Sequence, residues 1–161
     1  MVFDKSISAR RTINCFPIGV TIVTGKHEET LCGLTARSFM LASIDPLMIT
    51  VAIAPSRHSY GIIKSSGYFA VNILSETQLE LARRFGWNSG HTMNKYHGVE
   101  FEHGALTESP IFPASLAYLE CRLDSRAKAG DHELFVGEVL AHGVNSELTA
   151  LQYRQEDYIR N

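Results

Sequence analysis

Short apolar runs in which side chains alternate between two faces constrain the fold of this chain most strongly. In residues 117–123 every second side chain is apolar, while Glu120 and Arg122 are expected to face solvent. A period of two is typical of a half-buried antiparallel strand. Further strand-like runs, rich in β-branched and aromatic residues, occupy residues 20–24, 30–33, 47–53, 68–74 and 134–144.

Helices are expected to be few and short. One is predicted at residues 58–65 and another at 76–85, where Ser75 and Gln78 have the spacing of a capping box. Residues 86–113 are predicted to be a long irregular loop with at most one strand. The chain is therefore predicted to be mainly β with short helices. A barrel that closes its own edges is the favoured architecture, and an open sandwich is the alternative.

Size and charge exclude several classes of protein. The 161 residues favour a single domain spanning 1–161, and the net charge of −2 gives no basic surface for nucleic acid. No apolar run is long enough to cross a bilayer, so no membrane partner is expected. The N-terminus lacks the pattern of a secretory signal. A cytoplasmic location is expected, because the three cysteines are scattered and odd in number: Cys15, Cys32 and Cys121.

Residues 33–44 are small, hydroxyl-rich and almost uncharged. Gly33 and Ala36 leave the backbone open to close approach by a flat polar ligand. Thr35 and Ser38 offer hydroxyls, and the surrounding amides offer donors to the edge of such a ligand. The alternative interpretation is an ordinary strand and turn built from small residues.

A second candidate site lies where an apolar strand gives way to a helix, at residues 55–59. Helix N-terminal amides, two serines and an arginine are typical of an anion site, and phosphate suits the bidentate geometry of Arg57. The alternative is that Ser56 caps the helix and Arg57 lies in solvent.

The sequence Gly130-Asp131-His132 places an imidazole at the mouth of a predicted hairpin. His132 is either a contact for a ligand or an ordinary residue of a polar turn. No metal site is expected, because the remaining loop histidines lack zinc-ligand spacing. A Gly-x-Gly-x-x-Gly fingerprint is also missing, so a doubly wound dinucleotide fold is unsupported.

The order of five segments resembles the flavin reductase-like family of FMN-binding split-barrel proteins. Many of these are the reductase components of two-component flavin monooxygenases. The resemblance runs from about Phe16 to Tyr153. The segments that carry it are residues 16–24, 33–39, 43–47, 67–74 and 130–139.

This resemblance implies a six-stranded antiparallel Greek-key barrel that works as a homodimer, with the flavin near the subunit interface. It also implies roles for individual residues. His132 is expected beside the nicotinamide. The flavin ring and ribityl chain are expected to lie against Thr35, Ala36, Arg37 and Ser38, with Ser43 and Ala52 on the pocket wall. The phosphate end is expected at Ser56, Arg57, His58 and Ser59, and the flavin tail is expected to be closed over by Arg84, Phe85, Lys95 and Tyr96.

One departure from the family pattern concerns Arg37, which stands where the family commonly has a small residue. Its expected partner is either the flavin phosphate or a neighbouring carboxylate. A second departure is a single proline, Pro46, where the family often has two.

The activity implied is reduction of FMN, or of FAD, by hydride from NADH or NADPH, with reduced flavin passed to a partner monooxygenase. In the main alternative the protein is an FMN-containing electron-transfer flavoprotein without its own NAD(P)H turnover. A barrel without cofactor and an oxidase of the pyridoxamine-phosphate type are further alternatives. The Gly130-Asp131-His132 turn and the lack of a second basic phosphate site disfavour the oxidase.

Overall fold

The computed structural model describes residues 9–144, 147–154 and 157. Strands dominate it, as the alternating runs predict. A short 3₁₀ turn over Glu76–Gln78 precedes the third helix. The helices are α1 Ala9–Ile13, α2 His58–Ser66 and α3 Leu79–Trp87; the strands are β1 Thr21–His27, β2 Thr30–Ala36, β3 Met40–Ile44, β4 Leu47–Ile53, β5 Tyr68–Ile73, β6 Glu102–His103, β7 Pro110–Ile111, β8 Ala117–Ala129 and β9 His132–Val144.

Seven strands form one antiparallel sheet in the order β2-β1-β5-β8-β9-β4-β3. The prediction of six strands is wrong by one, because residues 40–44 form β3 in addition to the six. A two-residue connection pairs Ile44 with Leu47, which returns the chain along β4. The short β6 and β7 form a separate hairpin inside the predicted loop, where one strand at most was expected.

The sheet curls until the end of β2 reaches β4, which closes the barrel. The contact is made by the Ser38 hydroxyl, whose oxygen accepts a hydrogen bond from the Ala52 amide at 2.9 Å. The same hydroxyl donates to the Ala52 carbonyl oxygen at 3.3 Å. The barrel interior is filled by one apolar cluster that includes Val23, Val51 and Phe135.

A second apolar cluster lies between the barrel and α3. Ala82 and Phe85 on α3 are fully buried there, against Ile22 of β1. The predicted capping box is present, with the Ser75 amide donating to Oε1 of Gln78 at 3.0 Å, but it caps the 3₁₀ turn, and α3 begins three residues later than predicted. This packing fixes α3 beside β2.

The prediction that Glu120 faces solvent is wrong. The loop before β7 covers this position of β8, so the Glu120 side chain is only 2% exposed. Its Oε2 accepts hydrogen bonds from the amides of Leu106 and Thr107, at 3.0 and 2.9 Å, and from the Thr107 hydroxyl at 2.9 Å. These bonds satisfy a buried carboxylate and fix the loop before β7.

Candidate functional site

A cleft of about 200 Å³ opens where β2 meets β4. Four separate segments of the chain contribute to it: the end of β2, the end of β4, the start of α2 and the first residue of β9. The cleft is lined by Leu34, Thr35, Ala36, Arg37, Ser38, Ala52, Ala54, Arg57 and His132. The fold therefore brings together seven of the residues that the sequence analysis assigned to a site.

The walls of this cleft are small side chains. Ala36, Ala52 and Ala54 carry only a methyl group each, so a flat ligand can approach the backbone of β2 and β4 closely. Ala54 was not foreseen as a site residue, although it follows Ala52 with the spacing that places two strand residues on one face. Ser43 is half-buried on β3 and does not line this cleft.

The two hydroxyls expected to serve a ligand have protein partners. The Thr35 hydroxyl donates to the Ala82 carbonyl oxygen at 2.6 Å, which ties β2 to α3. The Ser38 hydroxyl bonds Ala52 across the barrel closure. Main-chain groups and alanine surfaces are therefore what this part of the cleft offers to a ligand.

The start of α2 forms the polar end of the cleft. Arg57 is the N-cap residue, with extended backbone angles (φ −78°, ψ 136°), and no side chain caps the helix. The alternative interpretation, in which Ser56 caps α2, is therefore wrong. The exposed Arg57 guanidinium and the positive end of the helix lie together, an arrangement suited to an anion.

His58 and Ser59 face away from this cleft. Ser59 is buried against β2, where its carbonyl oxygen lies 4.0 Å from the Cys32 Sγ donor. His58 lines a second, larger cavity of about 750 Å³ together with Gly33, Lys95 and Tyr96. Of the four residues assigned to the phosphate end, Arg57 lines the cleft and His58 lines the second cavity, while Ser56 and Ser59 line neither.

In the second cavity, His58 and His91 meet edge to face with ring centroids 4.7 Å apart. Burial lowers the pKa of His58, and the nearby charges of His91 and Lys95 lower it further. The neutral form of His58 is therefore favoured at a pH where free histidine is partly protonated.

Lys95 and Tyr96 brace the loop that carries them against β2. The Lys95 Nζ donates to the carbonyl oxygens of Gly33 and Phe85, each at 2.9 Å. Burial, with a smaller contribution from the charge of Arg57, lowers the pKa of Lys95 to about 8. The Tyr96 hydroxyl donates to the Cys32 carbonyl oxygen at 2.6 Å, and burial raises the pKa of this hydroxyl well above its usual value.

The two α3 residues assigned to the flavin tail have different surroundings. The Phe85 ring is fully buried in the second apolar cluster. Arg84 donates from Nη2 to the carbonyl oxygen of His97, which holds the following loop against the helix.

Among the described residues, Arg37 contacts an aromatic ring and an amide side chain instead of the neighbouring carboxylate that was one of its two expected partners. Its guanidinium lies over the Tyr153 ring, 4.5 Å from the ring centroid, and Nη1 donates to the Asn14 side-chain oxygen at 3.1 Å. Tyr153, Trp87 and Gly86 also line a cavity of about 280 Å³, which shares Thr35, Ala36 and Arg37 with the cleft. No local pattern marked Tyr153 as part of the site, because it lies far from Arg37 in sequence.

His132 stands at the tip of the β8–β9 hairpin. Gly130 adopts a positive φ of 65°, which the tight turn between Ala129 and His132 requires. The His132 Nδ1 lies 2.8 Å from Oδ1 of Asp131. This contact lowers the pKa of the Asp131 carboxyl. The imidazole is therefore oriented by its neighbour and only partly buried.

Within the described ranges, no three metal-ligating side chains gather at one point. Among the helices of that part of the chain, each is too short or too polar to cross a membrane.

The cleft of this barrel is lined by main chain and alanine, with Arg57 at a helix start and the His132 imidazole among its lining residues. Such a cleft is suited to a flat ligand with an anionic tail. Residues 13–160 match the model of the flavin reductase like domain. The chain therefore belongs to the flavin reductase like family, and the resemblance inferred from the five segments is confirmed.

Individual relatives agree with this assignment. A probable flavin reductase of Rhizobium meliloti is 34% identical over 158 residues, which is 98% of this chain and 49% of that protein. The reductase subunit HsaB of a flavin-dependent monooxygenase of Mycobacterium tuberculosis is 32% identical over 130 residues, covering 81% of this chain and 67% of that protein. This chain thus spans about half the length of the first relative.

The fold is shared with solved structures. The NADH:FAD oxidoreductase SgcE6 of Streptomyces globisporus has a TM-score of 0.85 at 26% identity, and the match covers 95% of this chain and 92% of that one. The predicted mainly β split-barrel class is confirmed.

Proposed function

We propose that this protein is an NAD(P)H-dependent flavin reductase that binds FMN or FAD. The observation that carries the proposal is the convergence of residues 35–38, Arg57 and His132 on one cleft. The names of the relatives support it: a flavin reductase, a reductase subunit and an NADH:FAD oxidoreductase.

The residues of the cleft fit this cofactor. The bound flavin supplies an acceptor for hydride from the nicotinamide. Ala36 and Ala52 leave a flat surface for its ring, and main-chain groups of β2 hold the ring edge. Arg57 and the uncapped start of α2 hold the phosphate. His132 binds and orients the nicotinamide, since hydride transfer depends mainly on alignment.

The alternative is an FMN-containing electron-transfer flavoprotein that does not turn over NAD(P)H. The same cleft would serve it, except that His132 would have no nicotinamide to orient. Steady-state oxidation of NADH and of NADPH with excess free FMN, FAD or riboflavin separates the two. Turnover supports the reductase. Tight flavin binding without turnover supports the electron carrier, and a protein that binds no flavin contradicts both.

A substitution at His132 tests its role. In His132→Ala we expect the KM for the nicotinamide to rise about tenfold while the flavin Kd changes less than about twofold, because one oriented contact is lost. His142→Ala, at an exposed position on the same strand, is the matched control. Equal loss of nicotinamide and flavin affinity in His132→Ala would show that this role is wrong.

The oligomeric state, the partner and the cellular location of the protein are further parts of the proposal. A homodimer is supported by exposed apolar side chains on the edge strand β3, beside the cleft. A monooxygenase that accepts reduced flavin is supported by the name of the M. tuberculosis relative. A cytoplasmic location fits the three cysteines, all of which lie in the described ranges and are free thiols.

A further inference from the structure

Three polar side chains form a cluster beside the cleft but outside its lining. The Tyr60 hydroxyl donates to Oε2 of Glu133 at 3.0 Å. Arg126 donates from Nη1 to the same carboxylate oxygen at 2.9 Å and to the Tyr60 oxygen at 3.2 Å. Each residue comes from a different element: α2, β9 and β8 respectively.

The cluster is built on the barrel core. The Tyr60 ring packs edge to face on Phe135, with centroids 5.5 Å apart, and Phe135 is fully buried. Arg126 pairs with Phe135 across the hairpin, and its guanidinium lies 6.0 Å from the Phe135 ring centroid. Glu133 and Phe135 are two residues apart and share a face of β9, so α2 contacts both strands of the hairpin on that face.

This cluster links the two elements that bring Arg57 and His132 to the cleft. Tyr60 lies about one helical turn after Arg57, and Glu133 directly follows His132. Within the described residues, β8 beyond Arg122 pairs only with β9, and β4 reaches no further along β9 than Glu133. The contact with α2 is therefore a second tie between the hairpin tip and the segment that carries Arg57, in addition to the pairing of β4 with Glu133.

The charges within the cluster favour the arrangement in which the Tyr60 hydroxyl donates its proton to Glu133. The Glu133 carboxylate accepts from a phenol and from a guanidinium, and the Glu133 and Arg126 side chains are each less than one third exposed. Desolvation and the hydrogen bond to Glu133 raise the pKa of Tyr60. The Tyr60 hydroxyl therefore remains protonated as the donor.

We propose that Tyr60 is a positioning residue, which acts through Glu133 to set the place of His132 over the cleft. This inference rests on the proposed reductase function. In this proposal α2 has two roles. Its start binds the anion, and Tyr60 holds the nicotinamide-binding hairpin in place relative to the flavin phosphate.

Tyr60→Phe tests the inference, because it deletes one hydroxyl and keeps the ring on Phe135. We expect the KM for the nicotinamide to rise about fivefold, from loss of a hydrogen bond to a charged group. The flavin Kd should change less than about twofold by the same reasoning. Tyr68→Phe, an exposed tyrosine of β5, is the matched control. An unchanged KM in Tyr60→Phe would overturn the proposal.

A double-mutant cycle with His132→Ala separates positioning from general loss of structure. If Tyr60 acts through His132, adding Tyr60→Phe to His132→Ala causes no further rise in the KM. A full additional rise in the double variant would show that Tyr60 acts independently of His132 and would overturn the proposal.

Amide hydrogen exchange gives a readout that needs no turnover. Tyr60→Phe should speed exchange at the hairpin tip, residues 129–134, and leave β1 and β5 unchanged. Unchanged exchange at the tip would contradict the link. If the unmodified protein oxidises no NAD(P)H, the proposed function is wrong, independently of the exchange result. If the unmodified protein oxidises NAD(P)H and Tyr60→Phe has the same KM and the same exchange, only the inference about Tyr60 is wrong.

Discussion

The hydroxyl of Ser38 takes the place of a strand partner for Ala52. It accepts from the Ala52 amide at 2.9 Å and donates to the Ala52 carbonyl oxygen at 3.3 Å, so one side chain satisfies both main-chain groups. The barrel is therefore closed at this point by a side chain rather than by a ladder of strand hydrogen bonds, and the candidate cleft opens directly beside the closure.

Ser38→Ala should weaken both the barrel and the cleft. Loss of the hydroxyl leaves the Ala52 amide and carbonyl without this partner, so the free energy of unfolding should fall by about 1 kcal/mol. We expect the flavin Kd to rise about fivefold because the closure beside the ring loosens. Urea unfolding and flavin titration measure the two effects. Ser65→Ala, an exposed position on α2, is the control; a Ser38→Ala protein as stable as the parent would contradict the account.

Arg57 should act on the phosphate and not on the flavin ring. Arg57→Gln removes a charge at the start of α2, so the FMN Kd should rise about tenfold or more. Riboflavin lacks the phosphate, and its affinity should therefore be unaffected. Arg122→Gln, which breaks a surface ion pair with Glu138 on the barrel, is the control. If Arg57→Gln weakens riboflavin and FMN equally, Arg57 contacts something other than the phosphate.

The strands of the barrel were predictable because their side chains follow a simple period. β4 matches the prediction at residues 47–53, and β1 and β5 differ from it by only a few residues at their ends. β3 was not predicted, because Met40, Leu41 and Ile44 are mostly exposed on an edge strand and show no alternation of apolar and polar residues. The burial of Glu120 was missed because the loop that covers it, at Leu106 and Thr107, is distant in sequence and leaves the alternation of β8 unchanged.

The site was only partly predictable. Small residues on either side of Arg37, an arginine before a helix and a histidine in a turn each have an ordinary structural explanation, and only their order along the chain pointed to one family. Their convergence depends on barrel closure, which no local pattern reports. The buried bonds of Lys95 to two carbonyl oxygens were also missed, because a lysine in a polar loop is usually exposed.

Stability should fall at alkaline pH because of the buried thiols Cys32 and Cys121. Burial raises the pKa of each from 9.0 to about 12. Above pH 9 the unfolded thiols lose their protons while the folded ones keep them, so rising pH favours unfolding. Each thiol should lower the free energy of unfolding by about 1.4 kcal/mol per pH unit between pH 9.5 and 11. Lys95 has the opposite effect: because its pKa is lowered to about 8, it makes the free energy of unfolding rise with pH between pH 8 and 10.5, which offsets the loss from one thiol.

Cys121→Ala isolates one of these contributions. The variant should be less stable than the parent at pH 8, because a buried side chain becomes smaller. The difference between the two should shrink as pH rises to 10.5, since the variant lacks one raised thiol. Urea unfolding at a series of pH values measures this, with Cys15→Ala, at the exposed cysteine, as control. Parallel curves for parent and Cys121→Ala would show that this thiol does not cause the alkaline loss.

The exposed face of β3 should be the dimer contact. Leu41 and Ile44 are 53% and 80% exposed on the edge strand that follows the cleft. Apolar side chains grouped on an edge strand are a liability unless another surface covers them. The double variant Leu41→Asp/Ile44→Asp should therefore sediment at half the mass of the parent and bind flavin more weakly. Leu106→Asp places one such charge at an exposed leucine outside β3 and should leave the mass unchanged. A parent that is monomeric at every concentration, or a double variant that still dimerises, would exclude β3 as the contact.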